Sequence, residues 1–250
     1  MTAVPGDPAV AVLRPDDGRL ADTAAVIESL DATPVRDPML AVEPTGAAPR
    51  GDADFVVLTS TTGAERVAEA DWSPDGATVC AIGDSTAAAL RDRGIAVDLV
   101  PESFSSAGLV AALDDRVDGA RVEVARSDHG SDVLLDGLRE AGAYVHETVL
   151  YRLVRPPEGG HSTERAARGD LDGVLFTSSL TVEHWLAAAA DRGVREAALS
   201  GLDDAVVGAI GEPTRETANE AGVAVDVVPE TADAAALARA VVDALPRPEP

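Results

Sequence analysis

The sequence predicts an α/β protein built as two similar doubly wound, flavodoxin-like domains, each around a parallel sheet. Short Val-rich runs ending in Thr-Ser or Gly alternate with stretches of helical apolar spacing, the pattern of βαβ units. This alternation occurs twice along the chain. With 250 residues, 46% of them hydrophobic, there is material for two cores.

Val10 to Leu13 reads as the first strand and is followed by Arg14-Pro15. Leu20 to Leu30 has helical apolar spacing. Phe55 to Leu58 is a strand ending in Thr59-Ser60, and Val79 to Ile82 is another ending in Gly83. Glu147 to Leu150 reads as a strand that Tyr151 closes. Val174 to Phe176 ends in Thr177-Ser178, and Val206 to Ile210 ends in Gly211.

The runs repeat in order. Thr59 and Thr177 are 118 apart, while Thr86 and Thr214, like Gly94 and Gly222, are 128 apart. Upstream, Arg14 matches Arg126 and Pro44 matches Pro156 at an offset of 112. Residues 9 to 113 thus resemble residues 121 to 245, with an insertion near Asp191 to Leu202. Pro44 to Pro49 and Pro156 to Gly160 read as linkers, and no such break falls near residue 120. The chain is therefore expected to cross between domains twice, on a two-stranded linker. Residues 1–43 with 157–250 would make a discontinuous first domain, and 44–156 the second.

Charge narrows the function. There are 44 acidic residues against 20 basic ones, net −24, and every basic residue is Arg. Such a surface repels nucleic acid and anionic lipid. No apolar run reaches the ~20 residues of a membrane span. Met1 to Pro8 lacks a secretory signal's basic and apolar segments, and the lone Cys80 forms no disulfide framework. The expectation is a cytoplasmic protein adapted to high salt, where the Debye length falls to ~3 Å at 1 M. Four scattered His without metal-ligand spacing predict no metal site.

In parallel sheets ligands bind beyond the carboxyl ends of the strands. The residues there are Arg14, Thr59, Ser60, Ser85, Thr86, Arg126, Ser127, Thr177, Ser178 and Thr214. Singly, such Ser and Thr read as helix caps. Together on facing domains, they and the helix N-termini would suit carboxylates or phosphates. Tyr151 differs between the copies, its counterpart being Met39, and is therefore a candidate for chemistry. Tyr144, Phe104, Trp72, Trp185 and Cys80 read as packing residues.

In order and spacing, Val12-Leu13-Arg14-Pro15, Leu58-Thr59-Ser60, Ile82-Gly83-x-x-Thr86, Phe104-Ser105, Tyr151-Arg152, Phe176-Thr177-Ser178 and Ile210-Gly211-x-x-Thr214 carry a resemblance. The chain resembles the uroporphyrinogen-III synthase family over about residues 9 to 245. The resemblance implies a monomer that closes hydroxymethylbilane, a linear tetrapyrrole with eight carboxylates. Water is lost, ring D is inverted, and no cofactor or metal is used. Tyr151 would assist departure of the hydroxyl, and the Ser, Thr and Arg residues above would bind substrate. Thr61 and Ser179 stand where the family often has Pro, and Glu212 puts a carboxylate in the second Gly-x-x-Thr turn. Two other readings are a non-enzymatic hinge module binding a small polyanion and a flavodoxin-like regulatory domain. The absence of Lys argues against a receiver-type version of the latter.

Overall fold

The structure, a computed structural model, describes residues 6–246. Met1 to Pro5, within the stretch read for a secretory signal, lie outside the described residues. The chain opens with β1 (Ala9–Val12), α1 (Gly18–Glu28), β2 (Thr33–Arg36) and β3 (Ala41–Pro44). There follow β4 (Phe55–Leu58), α2 (Thr61–Glu69), β5 (Thr78–Ala81), α3 (Asp84–Arg91) and α4 (Ser106–Leu113). Next come β6 (Arg121–Ser127), α5 (Asp132–Glu140), β7 (Tyr144–Val154) and α6 (His161–Ala167). The last elements are β8 (Gly173–Phe176), α7 (Ser179–Asp191), α8 (Arg195–Leu202), β9 (Val206–Ala209), α9 (Glu212–Glu220) and α10 (Ala234–Ala244). Among the described residues no helix is long and apolar enough to cross a membrane.

Two compact units result: Met1–Ala41 with Val154–Pro250, and Val42–Leu153. Their boundaries fall two or three residues before those read from the proline-bearing segments. Unit 1 holds a sheet of order β2-β1-β8-β9, unit 2 one of order β3-β7-β6-β4-β5. The pairs β1·β2, β1·β8, β8·β9, β4·β5, β4·β6 and β6·β7 are parallel. Each sheet therefore joins the first two strands of one sequence repeat to the later strands of the other.

The repeat holds to single residues. Phe55 faces Thr78 and Val122 in unit 2, as Gly173 faces Val206 and Val10 in unit 1. Asp98 accepts the Val79 N–H and Asp226 the Val207 N–H, both at 2.8 Å. Gly94 and Gly222 take left-handed φ of 81° and 88° just past α3 and α9, where a side chain would be strained. The insertion houses α8. It lies on α6 so closely that a Cβ at Gly201 would sit 1.8 Å from the Ala166 carbonyl oxygen.

Each core is what the alternation requires. One face of the unit 1 sheet buries Ala11, Leu13, Val35, Val174 and Phe176 against Trp185, Ala166 and Leu202. Trp185 meets the Phe176 ring edge-on at 6.0 Å and donates its indole N–H to Ser162. The matching face of unit 2 buries Val56, Leu58, Ala125, Leu150 and Tyr151. Burial pushes the Cys80 thiol up to about 12, so it stays protonated in the core.

Two packing expectations fail. Phe104 is 59% exposed, its ring lying over the bare backbone of Gly83. Tyr144 is 72% exposed, because it starts β7 where the strand has paired with β6 alone. Trp72 is partly buried, with its indole N–H unpartnered.

Candidate functional site

The strand carboxyl ends of unit 2 carry the most specific arrangement. Ser60, just past β4, is extended (φ −158°, ψ 155°) and caps α2, its Oγ accepting the Gly63 N–H at 2.9 Å. The same Oγ lies 2.9 Å from the Tyr151 hydroxyl. A serine hydroxyl carries one donor and two lone pairs, so Ser60 can cap the helix and still donate to the Tyr151 oxygen. The phenol O–H is then available to another acceptor.

Tyr151 does not end its strand as the sequence suggested; β7 runs on to Val154. A bulge brings it to Ser60. Along β6 and β7 the register steps from Arg126↔Val149 to Ser127↔Tyr151, skipping Leu150. In a regular pleat Leu150 and Tyr151 would point to opposite faces. Here both enter the same buried cluster, and Tyr151 is only 6% exposed.

The other sequence candidates divide. Thr59, Ser127, Thr177 and Ser178 are half-buried at strand ends, and Ser85 is exposed in the first turn of α3. Thr86 and Thr214 are buried residues, each 4% exposed. Their helices begin at Gly83 and Gly211, whose lack of side chains leaves the first-turn N–H groups without a side-chain cap. At these turns backbone amides are on offer beside the threonines. Glu212 is ion-paired with exposed Arg215 one turn on, which compensates its charge.

The two arginines differ. Arg126 is 4% exposed and fully engaged. It donates to Glu147 and to the Ser131 carbonyl, both at 2.6 Å, and packs against Gly130, where a Cβ would clash. It braces the β6–α5 turn, and these bonds occupy its Nε and Nη1. Arg14 in unit 1 donates to Thr23 at 3.1 Å, but its buried Nε has no partner. It lines a recess of about 310 Å³ with Arg19, Thr23 and Asp233. Burial and the neighbouring Arg19 charge draw its pKa below the usual guanidinium value, against the nearby carboxylates of Asp17, Asp233 and Asp22.

The family model described as Uroporphyrinogen-III synthase HemD matches residues 21–239. The chain belongs to the uroporphyrinogen-III synthase family. A relative from Methanothermobacter thermautotrophicus, named provisionally for this enzyme, is 35% identical over 156 residues, 61% of this chain and 60% of the relative. The uroporphyrinogen-III synthase of Chlorobaculum parvum is 27% identical over 67% of this chain and 66% of its own. The match thus spans less than two thirds of either relative. Among solved structures, a mutant uroporphyrinogen III synthase of Thermus thermophilus shares the fold with a TM-score of 0.65 at 22% identity, covering 93% of this chain and 96% of that one. The Helicobacter pylori uroporphyrinogen-III synthetase does so with a TM-score of 0.64 at 13% identity, covering 93% and 97%.

Sequence reasoning could not see the bulge, since nothing in Val149-Leu150-Tyr151 marks it. It also passed over Glu123 and His146. The signal was present: a Glu alternating with Val in a central strand is a buried carboxylate.

Proposed function

We propose that this chain is a uroporphyrinogen-III synthase. It closes hydroxymethylbilane to uroporphyrinogen III with loss of water and inversion of ring D. The observation that carries the reading is the Ser60–Tyr151 pair at the strand ends of unit 2, in a chain of this family.

The chemistry asks little of acid or base. The pyrrole nitrogen pushes electrons toward the hydroxymethyl carbon, and its C–O bond breaks with the pair leaving on oxygen. Tyr151 donates its hydrogen bond or proton to that oxygen, so that water departs. Ser60 donates to the phenol oxygen and holds the group in place. The azafulvene left behind is attacked by the substituted carbon of ring D, giving a spiro intermediate. The bond from that carbon to the ring C methylene then breaks, and the methylene bonds instead to the other α-carbon of ring D. That carbon loses its proton, which offsets the one given to the departing hydroxyl. Because the bilane also closes unaided to the uninverted isomer, the larger task is orientation. On unit 2 the proposed carboxylate contacts are the uncapped first-turn amides of α3 with Thr59, Ser85, Thr86 and Ser127; on unit 1 they are those of α9 with Arg14, Thr177, Ser178 and Thr214.

Both strand orders support doubly wound, flavodoxin-like units. The reading carries with it a cytoplasmic monomer that needs no metal or cofactor. The net charge of −24 supports adaptation to salt, so the melting temperature should rise between 0.1 M and ~3 M salt as repulsion is screened. The deciding assay supplies hydroxymethylbilane and separates isomer III from isomer I by chromatography. Isomer III well above the uncatalysed yield is expected. Tight bilane binding with only isomer I would replace the enzyme by the hinge-module reading.

A further inference from the structure

Unit 2 holds a buried polar cluster that the proposed reaction does not use. Glu123, on the central strand β6, is 1% exposed. Its Oε2 lies 2.8 Å from His146 Nδ1, and its Oε1 accepts the Thr148 hydroxyl. A buried carboxylate is destabilising by several kcal/mol unless paired in this way. The fold itself does not call for it. Glu123 faces Val56 and His146, and in unit 1 the equivalent Ala11 faces Val174 and Val35. There Ala11 and Val35 share a dry cluster with Ala166 of α6 and with Ala198 and Leu202 of α8.

Unit 2 lacks that helix pair. Residues 45–54, which join β3 to β4, form no helix. At this end of the unit 2 sheet is a cavity of about 710 Å³, lined among others by Arg50, Arg121, Arg139, Tyr144, Glu123 and His146. This volume is within the range of small-ligand sites, ~300–1,000 Å³. The lining is also richer in cations than the chain as a whole. Across the sequence acidic residues outnumber basic ones 44 to 20. Here three Arg and one His stand against Asp52 and Glu123.

The arginines are loosely held. Arg50 and Arg121 meet Asp52 and Asp54 at 3.1–3.4 Å, and Arg139 meets Asp136 at 3.0 Å, all with both partners substantially exposed. Exposed pairs contribute little to stability, so an incoming carboxylate can replace them. With Nδ1 fixed on Glu123, the half-exposed His146 keeps Nε2 for a ligand.

We propose that this cavity is a second binding site, for a small aromatic carboxylate. The ring lies on Tyr144 and the acid group is shared by Arg121, Arg139 and His146. The test is calorimetric titration of the full chain with benzoate, and with benzyl alcohol as its uncharged counterpart. Benzoate should saturate one site at about millimolar Kd or tighter, with benzyl alcohol roughly tenfold weaker. Tyr144→Ala and Arg139→Ala, both exposed positions, should each weaken benzoate about tenfold and leave bilane turnover unchanged. Absence of saturable benzoate binding, equal binding of benzyl alcohol, or indifference to both substitutions would overturn the proposal. Since the cavity takes no part in ring closure, its failure would leave the isomer assay standing, and the reverse.

Discussion

At the strand ends of unit 2, one serine caps a helix and holds a tyrosine. At the matching place in unit 1, Ser178 caps α7 in a reciprocal box with Thr181, and buried Met39 stands where the tyrosine would be. Both serines have nearly the same extended backbone, φ −158° and −170°. Capping is therefore common to both copies and belongs to the fold. The tyrosine occurs in one copy, and the proposed chemistry rests on it. Duplication supplies an internal control that separates the two.

The sharpest way to break that comparison is to remove one oxygen. Tyr151→Phe keeps the ring in its cluster and loses only the hydroxyl on Ser60. Formation of isomer III should fall about 10²–10⁴-fold, while stability drops by about 1 kcal/mol. Turnover at the original rate and isomer purity would return Tyr151 to the status of Met39. A structural counterpart compares the equivalent core positions Phe176 and Leu58, both fully buried. Phe176→Ala should destabilise by about 3–5 kcal/mol and Leu58→Ala by about 2–5 kcal/mol. Phe176 loses the larger volume and leaves Trp185 without its partner. Denaturant unfolding measures both, and a loss under about 1 kcal/mol for Phe176→Ala would mean that its core can collapse.

Much of the fold was legible because it rests on period and punctuation. Val-rich runs, left-handed glycines and the offsets of 112, 118 and 128 residues all reappear as strands, helix ends and matched registers. What was not legible depends on where a strand is covered. Arg126 and Arg14 are equivalent in sequence, yet one is buried on Glu147 and the turn before α5 and the other lines a recess. Tyr144 and Phe104 are apolar enough for a core but fall where no element lies over them. Thr86 and Thr214 are equivalent in sequence and equally buried. For Tyr151 the sequence difference was readable, and its hydrogen bond to a residue 91 positions away was not.

The caps offer a finer comparison. Ser60→Ala and Ser178→Ala should each cost about 1 kcal/mol, since each leaves a first-turn N–H unpaired. Only Ser60→Ala should also slow turnover, by less than Tyr151→Phe does, because the phenol keeps its proton and loses its anchor. Thermal melts matched to the isomer assay would show this. Equal kinetic effects of the two substitutions would end the claim that the tips have diverged in function.

The smallest difference lies at the opposite ends of the strands. Asp172 Oδ2 accepts the Ala9 N–H at 2.7 Å, and the equivalent Asp54 Oδ2 accepts the Arg121 N–H at 2.8 Å. Unit 2 adds the Arg121 guanidinium, 3.4 Å from the Asp54 carboxylate. The backbone N–H first, then the guanidinium, hold Asp54 below the ordinary carboxylate range. A lowered folded pKa means stability that is present above the unfolded value, near 4, and lost as pH falls through the folded one. Asp54→Asn should therefore be less stable than the parent at neutral pH, and the gap should narrow below about pH 4. Because the carboxylate is exposed, the gap should also shrink with added salt. Denaturant midpoints of both proteins across this pH range decide the matter: a gap constant with pH would mean that Asp54 acts through its shape and not through its charge.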